Sequence, residues 1–363
     1  MKSGNSSIDV TQATFNMREP FYAVIQSKIP KHAEIIVNMF DHCNMKCVFC
    51  PQDHDDTTGM SRDEIMSKIS PIIHYIETNP SPEFHLHIMG GELFQDHLIQ
   101  QGFLDYYAEF MYEIERKAPP TKTIRFYIIT NLVFKETSPV INFCKKHNIK
   151  IAISYDPVGR FNSSQLDVFK RNVELFKPLI RVISLTITKR SIGRIIEGDD
   201  YFDYLYDNFP CDWDHLLVGS DNLKPMMPAE SDLLAFYKVL IDRYPECINI
   251  STFTEEHNDK STHHTMPCTR GNSFTIFSDN STPKGCSGAV ILKHNETKDL
   301  GGVDIIHNFM DSRDCFHCEF YKRCTFSCFV HNDYKEMVRD VDGCVFKEAF
   351  KYADAKKEKC DVK

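Results

Sequence analysis

Three cysteines crowd into eight residues of the sequence, in the segment DHCNMKCVFCPQ. Cys43, Cys47 and Cys50 have the spacing Cys-x3-Cys-x2-Cys and follow an apolar run at 33–40 that predicts a buried strand. Three thiolates can hold three irons of a [4Fe–4S] cluster, which leaves the fourth iron open to another ligand. A structural zinc site has four closed ligands, so three cysteines and a distant histidine match it less well. The spacing therefore predicts an iron–sulfur centre that binds a further molecule.

The chain as a whole is rich in cysteine, with 14 in 363 residues. Its N-terminal segment lacks the apolar stretch of a secretory signal, and no run approaches the roughly 18 apolar residues needed to span a bilayer. We therefore expect a cytoplasmic protein without a membrane partner. Because thiols stay reduced in that compartment, the cysteines favour zinc or iron–sulfur binding over a disulfide framework.

Composition sets further bounds on the function. The chain is 42% hydrophobic and 26% charged, which is typical of a globular protein with a sizeable core. Its net charge of −9 argues against a nucleic-acid partner.

Strand-like and helix-like runs alternate from residue 33 onward. Predicted strands lie at 33–40, 84–90, 123–130, 149–156, 181–188 and 211–219, and predicted helices at 61–78, 97–117, 137–147, 163–179 and 201–209. The first helix begins with Ser61 and Glu64, which have capping-box spacing. Six apolar strands joined through helices predict a parallel sheet buried on both faces. The expected fold class is α/β, a partial (β/α)6 TIM-like barrel, with a doubly wound sheet as the alternative.

Composition also divides the chain. After a predicted linking helix at 231–245, loops become rich in Asn, Asp, Ser and Gly, and seven cysteines lie between residues 266 and 344. So little apolar material needs metal to hold it together. The predicted divisions are an N-terminal extension at 1–32, a core domain at 33–225, a linking region at 226–264 and a cysteine-rich domain at 265–363.

The cysteine motif after the first strand resembles that of the radical S-adenosylmethionine (radical SAM) superfamily. The segment IMGGELF supplies Gly90, Gly91 and Glu92 at the end of the second strand, where that family carries a Gly-Gly-Glu motif. The resemblance implies that the open iron chelates the amino and carboxylate groups of SAM. It implies that Phe49 packs beside the adenine and that the Gly-Gly-Glu motif binds the methionine amino group. SAM would be cleaved to methionine and a 5′-deoxyadenosyl radical, which takes hydrogen from a substrate.

Further SAM contacts are implied at the ends of two later strands. Thr130 and Asn131 close the third strand, Ser154 and Asp156 close the fourth, and Arg160 lies just beyond. These positions resemble the polar SAM contacts of the family, and strand ends are the usual functional positions in such barrels. Ordinary loop capping is the alternative for each.

Other candidate residues have weaker patterns. His85 and His87 share one face of the second strand, where they either contact substrate or SAM or are hydrogen-bonded structural histidines. The remaining cysteines are expected to be buried structural thiols: Cys144, Cys211, Cys247 and Cys360. No residue stands out as the catalytic hydrogen donor or base.

The C-terminal cysteines, including the run CFHCEFYKRCTFSC, resemble the SPASM domain of radical SAM proteins. That resemblance implies two auxiliary [4Fe–4S] clusters, and hence three clusters in all. By position, the first would be held by Cys268, Cys286 and Cys328, and the second by Cys315, Cys318, Cys324 and Cys344. The first cluster is then one protein ligand short. A zinc ribbon is the alternative for these cysteines.

The resemblance implies an oxidoreductase that modifies a peptide or protein, forming a crosslink, thioether, epimer or oxidised residue. A flavodoxin or ferredoxin would supply the electron. Only 32 residues precede the first strand, so we expect no N-terminal peptide-recognition domain. Ser287 replaces the aspartate of the sulfatase-maturing relatives, which argues against that reaction. The alternatives are a dehydrogenase or epimerase of a small metabolite, a non-catalytic iron–sulfur protein and a zinc-bound module.

Overall fold

A computed structural model describes most of the core and part of the C-terminal region. The described residues are 32–50, 52–215, 225–245, 273–283, 313–320, 324 and 340–361. The predicted N-terminal extension therefore lies outside the described residues, except for His32. No helix within the described ranges is long and apolar enough to cross a membrane.

The core is one seven-stranded parallel sheet. Its strands are β1 (His32–Asn38), β2 (Glu83–Met89), β3 (Thr123–Thr130), β4 (Lys150–Tyr155), β5 (Ile180–Ile187), β6 (Cys211–His215) and β7 (Ser273–Ile276). They lie in the order β6-β5-β4-β3-β2-β1-β7, and every neighbouring pair is parallel. Strands β1 to β6 follow chain order with no reversal. A doubly wound sheet reverses its order at a switch point, so the predicted partial barrel is confirmed and the doubly wound alternative is not.

All six predicted strands are present, and the sheet has a seventh strand that was not predicted. Strand β7 pairs with β1 from Glu34↔Ser273 to Val37↔Ile276, although its residues lie within the predicted cysteine-rich domain. It is only four residues long, and half of its residues are Ser and Thr. A run this short carries too little periodicity to be recognised from sequence.

Helices connect the strands and cover one face of the sheet. They are α1 (Arg62–Ser67), α2 (Ile69–Thr78), α3 (Asp96–Gln100), α4 (Phe103–Lys117), α5 (Thr137–Lys146), α6 (Ser163–Phe176), α7 (Lys189–Glu197), α8 (Asp200–Asn208), α9 (Glu230–Arg243) and α10 (Val345–Asp361). The capping box predicted at Ser61 is present: its hydroxyl accepts from the Glu64 amide, and the Glu64 carboxylate accepts from the Ser61 amide. Helix α7 was not predicted from the sequence.

The two faces of the sheet differ in polarity. In β1, Ala33, Ile35 and Val37 are fully buried, while the alternate residues Glu34 and Ile36 are only half-buried. Strand β2 repeats the pattern, with His85 and His87 on the half-buried face. The expectation of apolar burial on both faces is therefore wrong for these strands. One face packs on the helices, and the other, the inner face of the partial barrel, carries polar side chains.

Candidate active site

The cysteine motif lies in the loop that follows β1. Cys47 is buried, and Cys43 and Cys50 are half-buried. The Met45 amide donates to Cys43 Sγ at 3.4 Å, and the Cys50 amide donates to the Cys47 carbonyl at 3.1 Å. Burial raises the pKa of the Cys43 thiol to about 12, and the negative charges of Glu92, Cys47 and Cys50 add to that effect. The three thiols are thus close enough to repel one another when ionised, so a shared cationic centre would stabilise them together.

The Gly-Gly-Glu segment crosses directly over this loop. The Gly91 amide donates to the Phe40 carbonyl at 2.8 Å, and the Glu92 amide donates to the His42 carbonyl at 3.1 Å. A Cβ on Gly91 would lie 2.2 Å from the carbonyl oxygens of both Asp41 and His42. Only glycine therefore permits the crossing, and the close approach is to the backbone of the cysteine loop.

Glu92 is fully buried, and its carboxylate joins two strand ends. Oε1 accepts from the Phe94 amide at 2.9 Å and from the Thr130 hydroxyl at 2.8 Å. Oε2 accepts from the Asn131 amide at 2.6 Å. Burial raises the pKa of Glu92, and these three hydrogen bonds, with the nearby positive charge of Arg160, oppose that rise. Glu92 thus fixes the end of β3 relative to the end of β2.

Asn131 extends the connection to the cysteines. Its Nδ2 donates to Asn44 Oδ1 at 2.8 Å and lies 3.8 Å from Cys43 Sγ. Asn44 in turn donates to the Val133 carbonyl at 2.6 Å. The cysteine loop and the loop after β3 are therefore held together by side-chain amides.

The segment that follows β4 places a carboxyl group and a guanidinium beside the Phe49 ring of the cysteine motif. Asp156 is fully buried; its Oδ1 accepts from the amides of Val158 and Gly159, while Oδ2 has no hydrogen-bond partner among the described residues. Burial raises the pKa of Asp156. The Arg160 guanidinium lies 5.3 Å from the centre of the Phe49 ring, and its buried Nε is likewise unpartnered within the described ranges. A Cβ on Gly159 would lie 3.3 Å from both Asp156 Oδ2 and Phe49.

The predicted SAM-site residues thus fall together at the carboxyl ends of neighbouring strands, with one exception. Ser154 lies on β4 in register with Ser184 of β5, and no described contact joins it to the cysteine loop. Sequence reasoning missed Asn44 and Gln95. Gln95 is buried, and its Nε2 donates to the carbonyls of His42 and Glu92. Its position three residues after Glu92 was the one available signal.

The four cysteines implied for the second auxiliary cluster are described, whereas Cys268, Cys286 and Cys328 lie outside the described residues. Cys315 opens a single 3-10 turn, and the Cys318 amide donates to its carbonyl at 3.1 Å. Burial raises the pKa of Cys315 to about 12, and the charges of Cys344 and Cys318 add to the rise. Cys324 is also buried. Four residues before it, the Phe320 ring stacks on the ring of Phe350 in α10, with the ring centres 5.1 Å apart.

Buried thiols outside the motifs match the default expectation where they are described. Cys144 and Cys211 are buried, Cys211 Sγ donates to the Phe209 carbonyl at 3.5 Å, and Cys247 lies outside the described residues. Cys360 lies within α10.

No protein-family model matches the chain, and no curated protein matches it. Solved structures do resemble it. The enzyme anSMEcpe with bound AdoMet and the Cp18Cys peptide is 17% identical, covers 92% of this chain and 100% of its own, and has a TM-score of 0.63. Streptococcus suis SuiB bound to the precursor peptide SuiA is 17% identical, covers 94% of this chain and 83% of its own, and has a TM-score of 0.51. At these identities the likeness shows the fold alone, so the chain has the fold of these two proteins.

Proposed function

We propose that the chain is a radical SAM enzyme that cleaves SAM reductively and abstracts hydrogen from a peptide or protein substrate. The observation that supports this most is the meeting of Cys43, Glu92 and Asn131 at the carboxyl ends of β1 to β3. The likeness to structures that hold AdoMet together with a peptide points to the same function.

Residues of this site fit an iron–sulfur cluster with bound SAM. Cys43, Cys47 and Cys50 would hold three irons. Asp156 Oδ2 is a buried acceptor and Arg160 Nε a buried donor, each without a partner among the described residues. SAM carries hydroxyl donors and a carboxylate acceptor, so it would satisfy both groups. When bound, the cluster and SAM supply a 5′-deoxyadenosyl radical.

The Glu92 carboxylate positions two strand ends and has one acceptor site left for a ligand. A carboxylate has about four lone-pair sites, and three of those of Glu92 accept hydrogen bonds from Phe94, Thr130 and Asn131. The fourth, on Oε2, can accept from the methionine ammonium. The resemblance implies that contact, and three accepted hydrogen bonds leave one lone pair of the carboxylate for it.

We assign the second auxiliary cluster to Cys315, Cys318, Cys324 and Cys344. The support is the burial of Cys315 and Cys324, the half-burial of Cys318 and Cys344, and the mutual electrostatic effect of Cys315, Cys318 and Cys344. Burial raises the pKa of Cys315 and Cys344, and the positive charge of Arg313 opposes that rise. Arg313 also forms a buried 2.7 Å ion pair with Glu230 at the start of α9. That ion pair connects the cysteine segment to the linking helix. A flavodoxin or ferredoxin would act as the reductant.

The first experiment is a count of iron and sulfide per chain after anaerobic reconstitution. With three cubane clusters, the wild type would hold about twelve irons, and a Cys43/Cys47/Cys50→Ala triple variant about eight. Cys144→Ala is the matched control, since Cys144 is buried outside the motifs, and it should keep the wild-type iron. An unchanged iron content in the triple variant would contradict the proposal.

A second experiment tests the substrate class. The reduced enzyme is incubated with SAM and with peptides encoded beside its gene, and 5′-deoxyadenosine and peptide mass are measured. Peptide-dependent 5′-deoxyadenosine with a loss of two hydrogens from the peptide supports a peptide substrate. If no peptide raises 5′-deoxyadenosine above the SAM-only level, a small metabolite becomes the better substrate class.

A further inference from the structure

A second cluster of metal-ligand side chains lies at the opposite end of the sheet. His32 and Glu34 alternate at the start of β1, and His85 lies beside Glu34 on β2, where the register pairs the two residues. Asn38, at the end of β1, is four residues after Glu34 and therefore about 13 Å farther along the strand. The cluster is therefore distinct from the cysteine loop, which follows the far end of β1.

The distances between donor atoms suit a small cation. His32 Nε2 lies 3.2 Å from Glu34 Oε1, and His85 Nδ1 lies 3.5 Å from that same oxygen. All three donor atoms lie within 4.8 Å of one another. Tetrahedral zinc with bonds of about 2.0–2.1 Å places neighbouring ligand atoms about 3.3–3.4 Å apart, which is close to the distances from Glu34 Oε1. The rings of His32 and His85 are stacked with centroids 4.4 Å apart, so they must rotate to direct both nitrogens at one ion.

The surrounding contacts orient the donors. His85 Nε2 lies 2.8 Å from Glu83 Oε1, so this ring nitrogen can donate to a carboxylate while Nδ1 faces the cluster. His85 Nδ1 is buried and makes no hydrogen bond among the described residues. Histidines that bind metals commonly donate their other ring N–H to a carboxylate in this way. His87 bonds the second oxygen of Glu34, which leaves Oε1 for the cation.

We propose that His32, Glu34 and His85 form a binding site for a zinc-like divalent cation on the inner face of the barrel. Two imidazoles and one carboxylate are a known zinc ligand set, with water or another ligand at the fourth position. The bound ion would connect β1 to β2 at their amino ends. This inference does not depend on the proposed function. A metal-free network, in which His85 is protonated between two glutamates, is the competing arrangement and predicts no zinc binding.

The test uses the anaerobically reconstituted protein, equilibrated with equimolar zinc chloride and then desalted. Zinc content and the zinc K-edge absorption spectrum are measured. We expect one zinc with nitrogen and oxygen ligands at about 2.0–2.1 Å, which is separable from cysteine-bound zinc at about 2.3 Å. Retained zinc should fall at least tenfold in Glu34→Gln and in His85→Gln.

The matched control is His74→Gln, because His74 is exposed on α2, and it should retain wild-type zinc. Iron content of every variant reports whether it has folded. If the ligand variants do not fold, the wild-type spectrum decides alone. No retained zinc in the wild type, sulfur ligation only, or full retention in His85→Gln would overturn the proposal.

Discussion

The Glu92 carboxylate accepts a hydrogen bond from the backbone amide of Asn131 at 2.6 Å, across 39 residues of sequence. That bond fixes the relative positions of two loops, because the Glu92 amide also donates to the His42 carbonyl in the cysteine loop. One buried carboxylate thus holds the site together by accepting hydrogen bonds from Phe94, Thr130 and Asn131. Removing its negative charge is the sharpest way to disturb the site without adding volume.

We expect Glu92→Gln to weaken both folding and SAM binding. The new amide N–H2 cannot accept the hydrogen bonds that both carboxylate oxygens now accept, so a buried donor loses its partner at a cost of about 1–3 kcal/mol. Thermal unfolding should shift downward, and SAM affinity should fall at least tenfold. Both are measured on reconstituted protein.

Glu113→Gln is the control for that change. Glu113 lies on the surface of α4, where it pairs with Arg116, and exposed pairs contribute about 0–1 kcal/mol. A Glu92→Gln protein that unfolds and binds SAM like the wild type would show that the buried carboxylate does not organise the site.

Replacing Gly91 with alanine should prevent assembly of the site. The added Cβ would lie 2.2 Å from two carbonyl oxygens of the cysteine loop, and backbone cannot move aside as a flexible side chain can. We expect Gly91→Ala to lose most of the iron that the cysteine loop binds, as measured by iron per chain after reconstitution.

Gly193→Ala is the control for Gly91→Ala, because it adds the same methyl group at a position where we expect no loss of iron. Gly193 lies inside α7, and a Cβ there meets nothing within 4 Å. Alanine in a helix interior is favoured by about 0.5–1 kcal/mol, so this variant should keep its iron and unfold at a slightly higher temperature. Equal iron in the two variants would argue against the steric explanation.

The parts of the fold that the sequence predicts well are those with strong local patterns. Strand β3 is predicted with its observed bounds, because TIRFYIIT is an apolar run between turn segments. Strand β7 is too short for such a pattern, and it is defined by pairing with β1. The predicted domain boundaries stay a prediction, although β7 joins the core sheet from within the range assigned to the cysteine-rich domain.

In the candidate site, too, some features can be predicted from the sequence and others cannot. Cysteine spacing and the Gly-Gly-Glu segment are visible because they are contiguous in sequence. The partnership of Glu34 with His85 depends on strand register, and that of Asn44 with Asn131 on loop packing, so neither has a local signature. Residue types can therefore nominate a site, but its hydrogen-bond network requires the three-dimensional arrangement.

Lys68 should be important for attaching β7 to the core. It lies between α1 and α2, is fully buried, and its Nζ donates to the carbonyls of Phe277 and Ser278 and to Asn280 Oδ1 at 2.8–2.9 Å. Lys68→Met keeps the bulk of the stem but removes the donor from two half-buried carbonyls and from the exposed Asn280 side chain. We expect a downward shift in thermal unfolding, because a hydrogen bond from a charged group contributes about 1.5–3 kcal/mol.

Lys117→Met is the matched control, since Lys117 lies exposed at the end of α4 and pairs with Glu113. It should unfold within about 1 kcal/mol of the wild type. Equal unfolding of the two variants would mean that the Lys68 contacts do not hold the turn after β7.

The buried thiols Cys144 and Cys211 should be unreactive in the folded protein. Burial raises the pKa of each from the ordinary value of 9.0 to about 12. At pH 8.5 the thiolate fraction is then several hundred-fold lower than in the unfolded chain, and only the thiolate reacts with iodoacetamide. Mass spectrometry of alkylated peptides should show slow labelling in the native protein and rapid labelling in urea. Similar rates in both states would contradict the burial of these side chains.

The same pKa shift predicts how stability changes with pH. Because the folded-state pKa lies above the unfolded-state value, the native protein keeps a proton that the unfolded chain loses above pH 9. The contribution of Cys144 to stability is therefore fully present below pH 9 and declines as pH rises from 9 toward 12. Cys144→Ala removes this titration without adding volume to the buried site. Its unfolding temperature should fall less steeply between pH 8 and pH 10.5 than that of the wild type, and parallel curves would contradict a raised pKa at Cys144.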